Sequence, residues 1–172
     1  GRLAEMAFEL NQYDIAMDGY SNVIAHSLAK EKIEKAHLQI LKILRIQKEY
    51  RLASRKIKAL LSDDKFKRIS GNLELELVNL YRAQGEDDEI ENRLESIVND
   101  YQRTEVSAEA YYQLGEIYSS EKWDLEKAKE YYGNVSKESN RSLFSSSAKG
   151  RVLAITTYQN TLKEIETIHL MD

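Results

Sequence analysis

The chain has 172 residues, 42% hydrophobic and 31% charged, with seven glycines and neither proline nor cysteine. That balance fits a folded, soluble body rather than a disordered one, and excludes a disulfide scaffold, a thiol nucleophile and any thiolate zinc site. No apolar run approaches the roughly 20 residues a spanning helix needs, and no charged-then-apolar leader opens the segment. The formal charge of −4 is unevenly spread: residues 1–29 carry 1 basic and 4 acidic side chains, residues 30–70 carry 13 and 5, and residues 71–172 carry 11 and 20.

An internal repeat organises the sequence. In the first unit apolar positions fall at Leu3, Ala4, Ala7, Tyr13, Ala16, Tyr20 and Val23. A shift of 37 residues places the same grammar on Ile40, Leu41, Leu44, Tyr50, Ala53, Ile57 and Leu60. A second shift gives Leu77, Val78, Tyr81, Asp87, Ile90, Leu94 and Ile97, and a third gives Leu114, Gly115 and Tyr118. One extra residue near Trp123 then moves the pattern to Ala128, Tyr132 and Val135. Spacings of three, four and seven are helical, so each unit is expected to be two helices. The breaks fall at Asn11-Gln12, Lys48-Glu49, Gly85-Glu86-Asp87 and Glu121-Lys122. The small or medium residue early in each second helix (Ala16, Ala53, Ile90, Ala128) marks the close approach within a hairpin.

The expected units are residues 1–33, 34–70, 71–107 and 108–146. A partial or capping unit follows at 147–172, after the serine-rich joint Ser142 to Ser147. Its second half, Leu162 to Leu170, has Glu166 and Thr167 where the pattern wants a small residue, so it reads as a degenerate hairpin or a cap with a polar outer face. Leu3 sits about seven places into a unit, so the chain is expected to be a segment of a longer repeat protein.

The run Ala108-Glu109-Ala110-Tyr111-Tyr112-Gln113-Leu114-Gly115-Glu116-Ile117-Tyr118, followed by Trp123, Ala128 and Tyr132, resembles a tetratricopeptide repeat. That family's unit is about 34 residues of helix-turn-helix. The resemblance implies an all-α, right-handed superhelical solenoid, here with about 37 residues per repeat. Ile97-Val98-Asn99-Asp100-Tyr101 running into Ala108, and the spacing from Tyr132 to Ala148, are similar to bacterial cell-envelope members of the family, of the Tol-Pal periplasmic coordinator and outer-membrane assembly lipoprotein types. That likeness implies a periplasmic or envelope location and a part in envelope assembly.

No chemistry-bearing motif competes with this reading. His26, His37 and His169 are scattered, so no metal site is expected. Glu86-Asp87-Asp88-Glu89 falls where acidic groups complement the start of a helix. No glycine-rich phosphate loop exists, Asn134-Val135-Ser136 and Asn140-Arg141-Ser142 are chance glycosylation matches, and no cofactor or small-molecule substrate is expected. Of the clustered tyrosines, Tyr111, Tyr118 and Tyr132 take packing positions, leaving Tyr112 and Tyr131 exposed.

What remains is a concave groove lined by first helices, suited to an extended peptide or partner helix. By register its lining is Lys35, Leu38, Lys42 and Arg45, then Leu75, Asn79 and Arg82, then Tyr112 and Glu116, and finally Tyr158 with Arg151 and Ile155. The bland alternative is that Leu38 and Leu75 pack between neighbouring units. Chaperone-binding members of the family resemble one another in a clamp needing Asn on successive first helices, whereas these positions read Glu5, Lys42, Asn79 and Glu116, with Asn79 alone matching. The expectation is a non-enzymatic scaffold binding a protein or peptide partner, with self-association through open repeat ends as a related outcome. The alternative is an RNA-binding helical array using the basic 30–70 block, although Arg51, Arg55, Lys56, Lys58, Lys65, Lys67 and Arg68 lie on the second helix and its following loop, away from the groove.

Overall fold

In the computed structural model, which describes residues 1–171, the chain is all-α. It divides into two compact units, the first from Gly1 to Ile90 and the second from Glu91 onward. Among the described residues no helix is long and apolar enough to cross a membrane.

The first unit contains α1 (Arg2–Glu9), α2 (Tyr13–His26), α3 (Lys30–Ile46), α4 (Tyr50–Leu61), a 3-10 turn (Asp64–Ile69) and α5 (Ser70–Gln84). Its core gathers Ala4, Ala7, Ala16, Tyr20, Ile40, Leu41, Leu44, Ala53, Ile57, Leu73 and Leu77. Ala16 and Ala53 are 0% and 1% exposed, as small residues must be where two helix backbones close on each other. Two carboxylates are also buried: Glu34 receives Arg68 at 2.5 Å and Glu76 receives the Arg45 Nε at 2.7 Å. A buried charge needs such a partner, because its lost hydration is otherwise uncompensated.

The second unit holds α6 (Ile90–Asp100, its first residue being the last of the preceding unit), α7 (Glu105–Glu116), a π turn (Ile117–Glu121), α8 (Leu125–Glu138) and α9 (Ser145–Met171). Leu94, Ala108, Ala110, Leu114, Ala128, Tyr132, Val135 and Ala148 are each no more than 1% exposed. Glu91 of α6 takes a hydrogen bond from the Tyr118 hydroxyl and an ion pair from Lys122 at 2.5 Å, while Glu95 accepts from the Tyr131 hydroxyl. These partners tie α6 to the π turn, to the residue that follows it and to α8. The bonds from Lys122 and Tyr118 hold the Glu91 pKa below its ordinary value.

The first three expected breaks are turns with one left-handed residue, at Asn11 (φ 58°), Lys48 (φ 61°) and Gly85 (φ 75°); the fourth, expected at Glu121-Lys122, has its left-handed residue one place later, at Trp123 (φ 52°), because Glu121 belongs to the π turn. In the first three turns the residue after it donates back to a carbonyl of the preceding helix: Gln12 to Ala7 at 2.8 Å, Glu49 to Leu44 at 2.8 Å and Glu86 to Tyr81 at 2.9 Å. Such bonds satisfy carbonyls that a helix end leaves orphaned. Only Gly85 takes the left-handed conformation without a Cβ penalty. In the fourth turn Asp124 reaches Tyr118 at 2.8 Å, one residue further, and the π turn accommodates the residue in excess.

After the serine-rich joint the chain is one uninterrupted helix, so no second hairpin helix separates from α9. Every described residue from Asn160 on is exposed. The small residue missing near Glu166 has a physical counterpart here, since nothing in this stretch packs closely enough to require one.

His37 of α3 meets the Phe66 ring edge to face at 4.9 Å. Burial, and then the charge of Lys56, push its pKa below the ordinary imidazole value. The unfolded chain therefore binds this proton first as pH falls, so the contribution of His37 is complete above about pH 6.5 and is lost as pH drops towards the folded-state pKa. Urea unfolding across about pH 7 to 5 is expected to show stability declining in the native chain and declining less in His37→Gln.

Candidate functional site

The second unit brings several of the expected groove residues to one place. Tyr112, on α7, packs against Phe144 with ring centroids 5.1 Å apart and meets Tyr132 edge to face at 5.5 Å. Glu116, one turn on, accepts from the Tyr132 hydroxyl at 2.9 Å and pairs with the Arg151 Nε of α9 at 3.4 Å. The Tyr112 hydroxyl and then Glu116 raise the Arg151 pKa. Burial pushes the Tyr132 phenol up; the neighbouring Ser119 hydroxyl works against that and Glu116 adds to it. Tyr132 is thus a neutral hydrogen-bonding pillar at the base of the site.

Beside this cluster opens a cavity of about 320 Å³. Its walls are Leu125 and Tyr132 of α8, Arg151, Ala154, Ile155 and Tyr158 of α9, Ser119 and Ser120 of the π turn, and Trp123 of the turn that follows. Trp123 meets Tyr158 edge to face at 5.8 Å. Both remain open to solvent, 63% and 43% exposed. A volume at the small end of the usual range of roughly 300 to 1,000 Å³, mostly apolar walls and a few convergent polar groups suit one apolar side chain of a ligand better than a whole cofactor.

Local sequence explains the placement. The π turn ends α7 and swings Ser119 and Ser120 outward, their hydroxyls bonding back to the Glu116 carbonyl at 3.2 and 2.6 Å. The left-handed backbone at Trp123 then presents the indole, and Asp124 caps α8 by accepting from the Lys127 amide at 3.1 Å. Trp123 entered the sequence reading as a family marker, not as a site residue. Its signal was available: a large aromatic in a polar turn, at the one place where the unit is a residue too long.

The other expected residues lie in the first unit and do not assemble comparably. Lys35 pairs with Glu5 at 3.2 Å beside a hollow of about 190 Å³. Leu38 is half-buried against the core and Lys42 is exposed. Arg45 is committed to the buried Glu76, and Asn79 and Arg82, both half-buried, each have an interaction of their own. Leu75 is 4% exposed, so it is corrected from groove lining to buried residue, as the bland alternative held. Of the tyrosines, Tyr118 and Tyr132 are buried, Tyr111 is half-buried, and Tyr131 is half-buried with its hydroxyl on Glu95. No base-stacking platform results.

Among the described residues no group of three or more His, Cys, Asp or Glu side chains is placed to hold a metal ion. A scan against protein-family models gives no match to this chain, and a search of curated proteins gives none.

Proposed function

We propose that this chain is a non-enzymatic protein-interaction scaffold of the tetratricopeptide type, whose second unit holds an apolar anchor residue of a partner peptide or helix in the Trp123–Tyr158 cavity. The observation that carries the reading is a partly open aromatic cavity walled by Arg151 and Tyr158, beside which Tyr112 and Glu116 pack through Tyr132 and Arg151, all four being expected groove residues. Buried aromatic and arginine side chains concentrate binding energy at protein interfaces, and this site offers both. The Arg151 side chain, 57% exposed and held by the Tyr112 hydroxyl and Glu116, keeps further guanidinium donors for a backbone carbonyl or carboxylate of the bound segment.

The repeat reading draws support from the left-handed turn residue recurring at 11, 48, 85 and 123, the same register, with the same extra residue, as the apolar pattern. A right-handed superhelix of about 37-residue units belongs to this proposal.

Trp123 is the sole tryptophan, so its fluorescence reports occupancy of the cavity directly. Random peptides displayed on phage and selected on the chain are expected to converge on a large apolar residue, to shift Trp123 emission, and to bind a Tyr158→Ala variant about tenfold or more weakly at unchanged helicity. Peptides that bind both forms equally, or leave the emission unmoved, would place the interaction elsewhere.

A further inference from the structure

A second surface, separate from the cavity, lies on α4. Taking 100° per residue, Arg51, Arg55 and Lys58 fall within about 60° of one another on the helix wheel. The buried residues Ala53, Ile57 and Leu60 cluster on the opposite side. The helix therefore divides cleanly into a core face and a cationic face, and the row runs roughly 10 Å along the axis at 1.5 Å per residue. Lys48 precedes it in the turn, and Lys65 and Lys67 follow in the 3-10 turn, all exposed.

The patch is unneutralised. Residues 48–68 carry 8 basic and 3 acidic side chains. Among them Arg68 has a carboxylate partner, the buried Glu34, whereas Arg51, Arg55 and Lys58 have none among the described residues. The first unit, residues 1–90, holds 15 basic and 15 acidic side chains, so supply does not explain the arrangement. The carboxylates sit elsewhere, four of them in the exposed run Glu86 to Glu89. A row of like charges left unpaired on one face repels itself and gains only when a polyanion covers it.

We propose that this α4 face binds the phosphate backbone of double-stranded nucleic acid, independently of base sequence. Two features favour phosphates over an acidic protein. Beside the cations the exposed residues are Leu52, Ala59 and Ser62, so the face offers a single large apolar side chain, Leu52 at 37% exposure, where protein interfaces use a cluster of aromatic and apolar anchors. It also lacks an exposed aromatic, Tyr50 being half-buried, so it offers no stacking platform for single strands. A straight cationic row meets the regularly spaced charge of a duplex instead. The net charge of −4 does not oppose this at working ionic strength, because charges farther than about 10 Å are screened near 0.1 M salt.

The test is fluorescence anisotropy of labelled DNA and RNA duplexes, and of oligouridine, titrated with the full chain between roughly 50 and 200 mM salt. Saturable duplex binding in the range of about 10⁻⁶ to 10⁻⁴ M is expected, with a log–log salt slope between about −3 and −5 for three to six neutralised phosphates, and weaker binding of oligouridine. The Arg51→Glu, Arg55→Glu, Lys58→Glu variant should lose about tenfold or more at unchanged helicity, and a neutral set with Gln at the same positions serves if the first is misfolded. Tyr158→Ala should bind duplex as the native chain does, which separates this surface from the cavity. Absence of saturable binding at the lowest salt, retention in both charge variants, preference for oligouridine, or displacement by polyglutamate as readily as by unlabelled duplex would each overturn the proposal.

Discussion

Gly115→Ala is expected to destabilise the second unit by about 2 kcal/mol, while Gly133→Ala stabilises it by about 0.5 to 1 kcal/mol. Both glycines lie in helices, so alanine brings each the same gain in propensity. The surroundings set the sign. A Cβ at Gly115 would stand 2.6 Å from Cδ1 and Cε1 of Tyr132, whereas one at Gly133 meets nothing within 4 Å. The Tyr132 ring cannot give way, being 1% exposed, in contact with Tyr112, and held through its hydroxyl by Glu116 and Ser119. Overpacking a closed site costs about 1 to 3 kcal/mol and occasionally more, so a larger residue such as leucine at 115 should prevent this unit from folding. Thermal and urea unfolding followed by Trp123 emission reads the second unit alone, because no other tryptophan contributes. If both alanine variants moved the transition in one direction, the close approach of α7 and α8 at Gly115 would be wrong.

The helices and their breaks were legible because they rest on local signals. Apolar residues at helical intervals define the buried faces, and a few polar residues suffice to mark a turn. Gly85 and, less strongly, Asn11 are of types that favour a left-handed backbone; the Lys48 turn was found by register, and the fourth by register one residue ahead of Trp123. The excess residue near Trp123 was visible as a shift in pattern, but its absorption as a π turn, and the cavity this helps to open, were not. A pattern counts residues without saying which backbone accommodates one too many.

Charged side chains were the other blind spot. Nothing in the apolar pattern marks Glu34 and Glu76 for burial, yet each is buried because an arginine distant in sequence meets it, Arg68 and Arg45 respectively. Such burial is decided by a tertiary partner and leaves no trace in local periodicity. The same pairing removed Arg45 from the groove, and the burial of Leu75 removed another expected contact. Tyr112 and Glu116 came to lie beside the cavity that Arg151 and Tyr158 line because packing register and site register coincide in that part of the chain.

Arg45→Met is expected to cost the first unit about 3 kcal/mol, and Arg45→Glu more, whereas the double variant Arg45→Met, Glu76→Met should lie near the native stability. Arg45 Nε stands 2.7 Å from the Glu76 carboxylate, whose side chain is 7% exposed. Removing the arginine leaves a carboxylate away from water with its partner gone, the situation in which breaking a buried pair costs about 3 to 5 kcal/mol. The lower end applies because Arg45 itself is 28% exposed, so solvent reaches its side of the pair. Replacing both members removes the stranded charge, and an apolar pair of similar volume refills the space. Urea unfolding followed by circular dichroism of the two single variants and the double gives the coupling directly. Losses that simply added in the double variant would show that the pair carries no such energy. The result also governs how binding is dissected. A loss of partner binding in an Arg45 variant reports the collapse of a buried ion pair, whereas Lys42, exposed on the same helix, can be reversed in charge without disturbing the core.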